Sequence, residues 1–149
     1  MNERRRGWLG VLAALVVGGL LKPVMALAAW NKEAFAAKSP GDALNSLGAS
    51  STEPSKGIVI DAPQIAENGA VVPIEISSSI PNTTAIAVVI EKNPFPLAAR
   101  FDFKDGALPF VKLNAKMGET SDVRVVATAG GKHYVATREI KVTIGGCGG

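Results

Sequence analysis

The chain has 149 residues, 47% of them apolar, with 16 Lys and Arg, 13 Asp and Glu, one histidine and one cysteine. This length suits a single domain with its own core. One cysteine excludes an internal disulfide framework, and one cysteine with one histidine does not supply the three or four ligands of a zinc site.

The first 28 residues have the three parts of an export signal: a positive start, an apolar run over residues 11–21 and the small residues Ala-Leu-Ala at 26–28. The apolar run is too short for a membrane span of about 20 residues. Arg5 and Arg6, followed by Gly-Trp-Leu, resemble the twin-arginine signal. We therefore predict a cleaved leader over residues 1–28 and a periplasmic location. A retained N-terminal anchor is the alternative.

Removal of this leader changes the charge of the protein. Four of the 16 Lys and Arg and one of the 13 Asp and Glu lie in residues 1–28, so 12 of each sign remain. The net charge of +3 therefore belongs to the leader. It gives no reason to expect a nucleic acid or an anionic membrane as a partner.

The segment after the leader predicts two short helices and a linker. Asn31 can cap a helix over residues 32–38, and Ser39 can cap a second helix that begins with proline. Gly48 is a natural stop for that second helix. Residues 49–56 are rich in Ser, Thr and Pro, which is typical of a linker.

From residue 57 onward apolar and polar residues alternate, which is the period of half-buried strands. Residues 84–91 are apolar on both faces, so they predict a central strand covered on both sides. Pro73 lacks an amide hydrogen and predicts an edge strand or a bulge. The pair Asn68-Gly69 predicts a turn before the strand that contains Pro73. The pair Gly130-Gly131 predicts the turn of the last hairpin.

These patterns predict an all-β fold, an immunoglobulin-like antiparallel β-sandwich of about seven strands over residues 57–144. Short helices and a linker over residues 29–56 precede it, and a flexible C-terminal arm over residues 145–149 follows. A small barrel is the structural alternative. The usual inter-sheet disulfide is absent because the chain has one cysteine.

The arm contains the single cysteine between glycines: Gly145, Gly146, Cys147, Gly148 and Gly149. A strand that ends near Ile144 should hold the base of the arm, while glycines have no side chain to pack and much backbone freedom to lose. At about 3.3–3.6 Å per residue, five residues could carry the thiol on the order of 10–17 Å. We predict a swinging arm with a nucleophile near its tip.

Other interpretations of Cys147 are a buried small hydrophobe, a frayed end and a covalent link between two chains. Burial is disfavoured because no apolar residue follows Ile144. Catalysis would need a base beside the thiol, and His133 lies some 35 Å away if residues 133–144 form one strand. A structural or solvent-facing role for His133 is therefore expected. A thiol oxidoreductase is disfavoured because the chain has no resolving cysteine. The residues favour a carrier that is not itself an enzyme.

The leader, the helical segment, the all-β domain and the final Ile-Gly-Gly-Cys-Gly-Gly over residues 144–149 resemble the SoxY family, the sulfur carriers of the periplasmic thiosulfate-oxidising system. Residues 117–127 also look like the late-strand region of that family. The resemblance implies that Cys147 is the attachment residue for sulfur intermediates and that the four neighbouring glycines form its arm. It carries over no other functional residue.

The resemblance also implies partners. A haem c enzyme would attach thiosulfate to Cys147 as an S-thiosulfonate, and a manganese-dependent hydrolase would release sulfate and leave a persulfide. In some organisms a molybdenum–haem sulfane dehydrogenase oxidises the remaining sulfur. The carrier would hold no cofactor of its own and would pair with a SoxZ-like subunit as a heterodimer or heterotetramer. The alternative function is an exported structural subunit in which Cys147 forms an intermolecular disulfide.

Overall fold

The computed structural model describes residues 30–104 and 106–143. In these ranges the chain forms two short helices and nine strands: α1 (Lys32–Ala36), α2 (Pro40–Ser46), β1 (Glu53–Pro54), β2 (Ile58–Asp61), β3 (Ile65–Ala66), β4 (Val72–Ser78), β5 (Thr83–Ile90), β6 (Leu97–Asp102), β7 (Phe110–Ala115), β8 (Ser121–Ala129) and β9 (Lys132–Val142). Neither of these two helices is long and apolar enough to cross a membrane.

The strands form two sheets. The larger has the order β1-β9-β8-β5-β6, with β3 also paired to β9, and the smaller has the order β2-β4-β7. Seven of the described strands have four or more residues, and these pair with one another in antiparallel fashion. The two-residue strands β1 and β3 pair with β9 in parallel. The predicted sandwich of about seven strands is confirmed.

The core lies between the two sheets. Because side chains alternate across a strand, every second residue of β4, β5 and β8 points inward. Ile74, Ile76, Ile86, Val88 and Val125 are fully buried in one cluster that both sheets share. Burial of each such side chain contributes about 1.5–3 kcal/mol relative to exposure.

A second apolar layer covers the outer face of the larger sheet. Ala87 and Val89 of β5 and Val126 of β8 pack with Ala34 of α1 and Leu44 of α2. Strand β5 is therefore covered on both faces, as the two-sided apolar pattern of residues 84–91 predicted. The helices pack on their own domain through this layer.

Local capping positions the helices. The Asn31 side chain accepts a hydrogen bond from the Ala34 amide (3.0 Å), and the Ser39 hydroxyl accepts one from the Asp42 amide (3.1 Å). Gly48 ends the segment with φ +75°, a conformation that glycine adopts without strain. Helix α1 ends at Ala36, before the predicted end at residue 38, because the backbone of Ala37 leaves the helical region with ψ 143°.

The position of Pro73 corrects the prediction of an edge strand. Strand β4 is the middle strand of the smaller sheet, and its pairing runs without a bulge. However, β2 pairs only with residues 75–78 of β4, so at Pro73 the paired neighbour is Asn114 of β7 alone. The missing amide hydrogen of proline is tolerated because this part of a central strand has one paired side.

The last hairpin has the predicted turn, and the predicted linker contains a short strand. Gly130 and Gly131 connect β8 to β9 with φ +56° and +76°, so the predicted hairpin turn is confirmed. Residues 49–56, predicted as a linker, contribute β1, and the Ser55 amide donates to the Val135 carbonyl (3.0 Å). Two residues are too few to show a periodic pattern in the sequence.

We predict that Asn31→Ala lowers the free energy of unfolding by about 1–2 kcal/mol. Asn31 caps α1 and also donates from Nδ2 to the Ser46 carbonyl (2.6 Å), which ties the two helices together. Asn31→Asp keeps the cap but loses this donor, so it should give an intermediate loss. Urea denaturation measures both changes, and an Asn31→Ala variant as stable as the parent would contradict the prediction.

Candidate functional site

The predicted attachment residue, Cys147, and the glycines of the arm, Gly145, Gly146, Gly148 and Gly149, lie outside the described residues. Arg5 and Arg6 of the predicted leader also lie outside them. The structure shows instead the base from which the arm continues. We call residues 141–143, at and just beyond the end of β9, the root of the arm.

The root is hydrogen-bonded on both sides. The Lys141 amide donates to the carbonyl of Gln64, the residue before β3 (3.0 Å), and the Thr143 amide donates to the carbonyl of Ala66 in β3 (3.1 Å). Between them, the Val142 amide donates to the Thr120 hydroxyl (3.0 Å). Successive amides of a strand point to opposite sides, so these three bonds fix the root from two directions.

A turn packs closely on the root from a third direction. A Cβ atom added at Gly69 would lie 2.3 Å from the Met117 carbonyl oxygen and 2.8 Å from Val142 Cγ1, so no other residue fits without a shift. The Met117 amide donates to the Gly69 carbonyl (2.7 Å), and Asn68 Oδ1 accepts from the Ala70 amide (3.0 Å). The predicted Asn-Gly turn is confirmed, and it also forms part of the support of the root.

The number of residues between the root and Cys147 limits how far this residue can lie from the described domain. Cys147 is four residues beyond Thr143. At about 3.3–3.6 Å per residue, the Cα atom of Cys147 lies at most roughly 13–14 Å from that of Thr143 along an extended chain. Cys147 is therefore confined to a region of this radius around Thr143.

His133 lies at the other end of β9, beside the hairpin turn. Its Nδ1 is 3.0 Å from the Thr128 hydroxyl, and the side chain is half-buried. It precedes Thr143 by ten residues of extended chain, roughly 33 Å. That distance exceeds the reach of the thiol, so His133 cannot serve as the base for Cys147 within one molecule.

The charged side chains of the described residues form ion pairs but no metal-binding cluster. Within residues 30–104 and 106–143, no group of three or more His, Cys, Asp and Glu could hold a metal ion. On the outer face of the smaller sheet, the Lys112 ammonium donates a hydrogen bond to Glu75. This bond raises the pKa of Lys112, and the negative charges of Glu75 and Asp61 raise it further. Both partners are solvent-accessible, and such pairs contribute little to stability.

The comparisons with known proteins agree with this fold. The family model described as "Sulfur oxidation protein SoxY" matches residues 44–147, which include the sandwich and extend to the cysteine. The chain belongs to the SoxY family. The sulfur carrier protein SoxY from Chlorobium limicola f thiosulfatophilum is 42% identical, with a TM-score of 0.62 over 69% of this chain and 96% of that chain.

A second solved structure shows the fold alone. A superoxide reductase (neelaredoxin) from Ignicoccus hospitalis is 22% identical, with a TM-score of 0.52 over 58% of this chain and 80% of that chain. No curated protein matches the chain. Membership of the SoxY family supports a sulfur-carrier role in the Sox system, with partners within that system.

Sequence reasoning identified the resemblance but missed the support of the root. Strand β3 is two residues long and carries no periodic signal, and Thr120 lies in a loop where a hydroxyl is ordinary. Gly69 was predicted as a turn residue, and its Asn-Gly pair was the available signal. Its close approach to Val142 and Met117 depends on segments that are far apart in the chain.

We predict that Gly69→Ala lowers the free energy of unfolding by about 1–3 kcal/mol, because the added methyl group overlaps the backbone oxygen of Met117. Gly118→Ala is the matched control: it lies in the adjacent loop, where an added Cβ meets nothing within 4 Å. Chemical denaturation measures both. Equal losses in the two variants would show that the close approach is not the cause.

We further predict that Thr120→Val increases the hydrogen-exchange rate of the Val142 amide, because this amide loses its acceptor. Thr120→Ser keeps the hydroxyl and should retain most of the protection. Hydrogen exchange followed by NMR measures the single amide. Equal protection in the valine and serine variants would contradict a role for the hydroxyl.

Proposed function

We propose that this protein carries sulfur intermediates of thiosulfate oxidation covalently on Cys147 and presents them to successive enzymes. The family match that extends through Cys147, together with a 42% identical sulfur carrier, is the observation that supports this most directly. The supported root favours the same role, since a carrier needs a firm base and a thiol that reaches beyond it.

Attachment of the substrate is an oxidation. The thiol of Cys147 and the terminal sulfur of thiosulfate form an S–S bond, the thiol loses its proton, and two electrons pass to the haem of the partner enzyme. The product is a cysteine S-thiosulfonate. A partner must also supply the base, because an ordinary thiol with a pKa near 8.5 is only a few per cent ionised at pH 7.

Release of sulfate is a hydrolysis. One water molecule cleaves the bond between the sulfane sulfur and the sulfonate sulfur. The sulfonate leaves as hydrogen sulfate, and the persulfide remains on Cys147. A manganese-dependent hydrolase would perform this step. Where a molybdenum–haem sulfane dehydrogenase is present, it would oxidise the remaining sulfur before a second hydrolysis. The carrier itself supplies the attachment atom and no cofactor.

The proposed location is the periplasm, and the proposed companion is a second β-sandwich subunit. A leader with Arg5 and Arg6 would direct the folded protein to the periplasm by the twin-arginine route. A SoxZ-like β-sandwich subunit would accompany it as a heterodimer or heterotetramer. Glycines on both sides of Cys147 would let the backbone enter a narrow active-site channel.

We predict that the native, non-reduced protein gains the mass of one thiosulfate group on its C-terminal peptide after incubation with thiosulfate and the haem enzyme. A reducing agent should remove the added mass. Intact mass spectrometry followed by peptide fragmentation measures the adduct and its position. Cys147→Ser is the control, because it keeps the size of the side chain and removes the attachment atom.

Two outcomes would contradict this function. An unmodified thiol after incubation would mean that Cys147 does not accept thiosulfate. A stable disulfide-linked homodimer without a sulfur adduct would favour the structural-subunit alternative.

A further inference from the structure

The four residues from Thr143 to Cys147 limit where an enzyme can contact this carrier. Cys147 reaches at most roughly 13–14 Å from Thr143, and an active-site pocket below the surface of an enzyme uses part of that length. The rim of the pocket must therefore approach the carrier around the root. This argument rests on the proposed function, and it specifies which part of the molecule the enzyme contacts.

Two exposed aliphatic side chains flank the root. Ile65 of β3 is 55% exposed and lies beside Lys141 in the parallel pairing with β9. Val71 is 53% exposed and follows the turn in which Gly69 approaches Val142. Ile65 precedes the buried Ala66, and Val71 precedes the buried Val72, so each side chain is the outward neighbour of a core residue.

We propose that Ile65 and Val71, which we call the root surface, dock against an apolar rim around the active-site entrance of the sulfate-releasing hydrolase that acts on Cys147. Apolar side chains suit a contact that must form and separate at each step, because they add affinity without a fixed hydrogen-bonding partner. Both lie near the root, so contact with them would place the entrance close to Thr143, from which Cys147 is four residues away.

The opposite end of the smaller sheet supplies matched controls. Val59 is 57% exposed and Phe110 is 53% exposed, so both are as accessible as the residues of the root surface. Both pair with Ser77, six residues along the chain from Val71 and roughly 20 Å away at the rise of a strand. A footprint of about 800 Å² has a radius of about 16 Å, so one centred near Val71 does not extend that far.

The experiment uses the mature protein together with any subunit that co-purifies. Tetrathionate first converts Cys147 to the S-thiosulfonate. In this exchange the thiolate attacks a sulfur of tetrathionate, the S-thiosulfonate forms and thiosulfate leaves, so no further oxidant is needed. The probe is the purified sulfate-releasing hydrolase, and sulfate release is measured over a range of carrier concentrations. The variants are Val71→Thr, Ile65→Thr and the control Val59→Thr, which preserve β-branching.

Val71→Thr and Ile65→Thr should each raise KM about fivefold with kcat unchanged, a loss of about 1 kcal/mol in association. Val59→Thr should stay within about twofold of the parent, since an exposed site outside the contact has little effect. The alkylation rate of Cys147 by iodoacetamide should be the same in all four proteins, which shows that the thiol itself is unchanged.

Three results would overturn the proposal: an unchanged KM in both root-surface variants, an equal rise in Val59→Thr, or a slower alkylation that accounts for the loss. If one root-surface variant does not fold, the other decides the test. Failure of the loaded parent protein to release sulfate would contradict the proposed function, and the docking surface with it. A parent that reacts while the variants match it would contradict the docking surface alone.

Discussion

The pairing of β9 with β8 is the interaction on which the rest of the described structure depends. Nine residue pairs run without a shift from Ser121↔Ile140 to Ala129↔Lys132. The two-residue strands β1 and β3 attach to the other side of β9, and Arg138 donates from Nη1 to the Ile60 carbonyl (2.9 Å) in the smaller sheet. One long strand thereby joins both sheets and carries the root of the arm, so stability of the sandwich and placement of the root have the same source.

Much of the fold could be predicted because its main signals are local. The two-sided apolar pattern of residues 84–91 identified the strand between two layers, and Asn31 and Ser39 identified the helix starts. Pro73 was interpreted as the mark of an edge strand, which was wrong for β4 as a whole. A sequence shows that a donor is missing, but it does not show that the neighbouring strand stops two residues short of it.

The candidate site also has a part that the sequence predicts and a part that requires the fold. Cys147 among four glycines was visible in the sequence because composition alone distinguishes it. The residues that support the root were not visible, since the contacts of Gly69 with Val142 and of Thr120 with the Val142 amide join segments separated by more than twenty positions. Residues that position a site through long-range contacts carry ordinary local signals, and a fold is required to find them.

The order of the strands leaves an open edge in each sheet of the described chain. Strands β6 and β7 end their sheets, so each leaves one row of backbone donors and acceptors without a partner strand in the described chain. Such rows can recruit strands from other copies. Arg100 and Asp102 form an exposed ion pair on β6 (2.9 Å), and Lys112 projects its charge from β7. A copy that added a strand here would have to remove these charged groups from water, and this desolvation opposes pairing of the edges between copies.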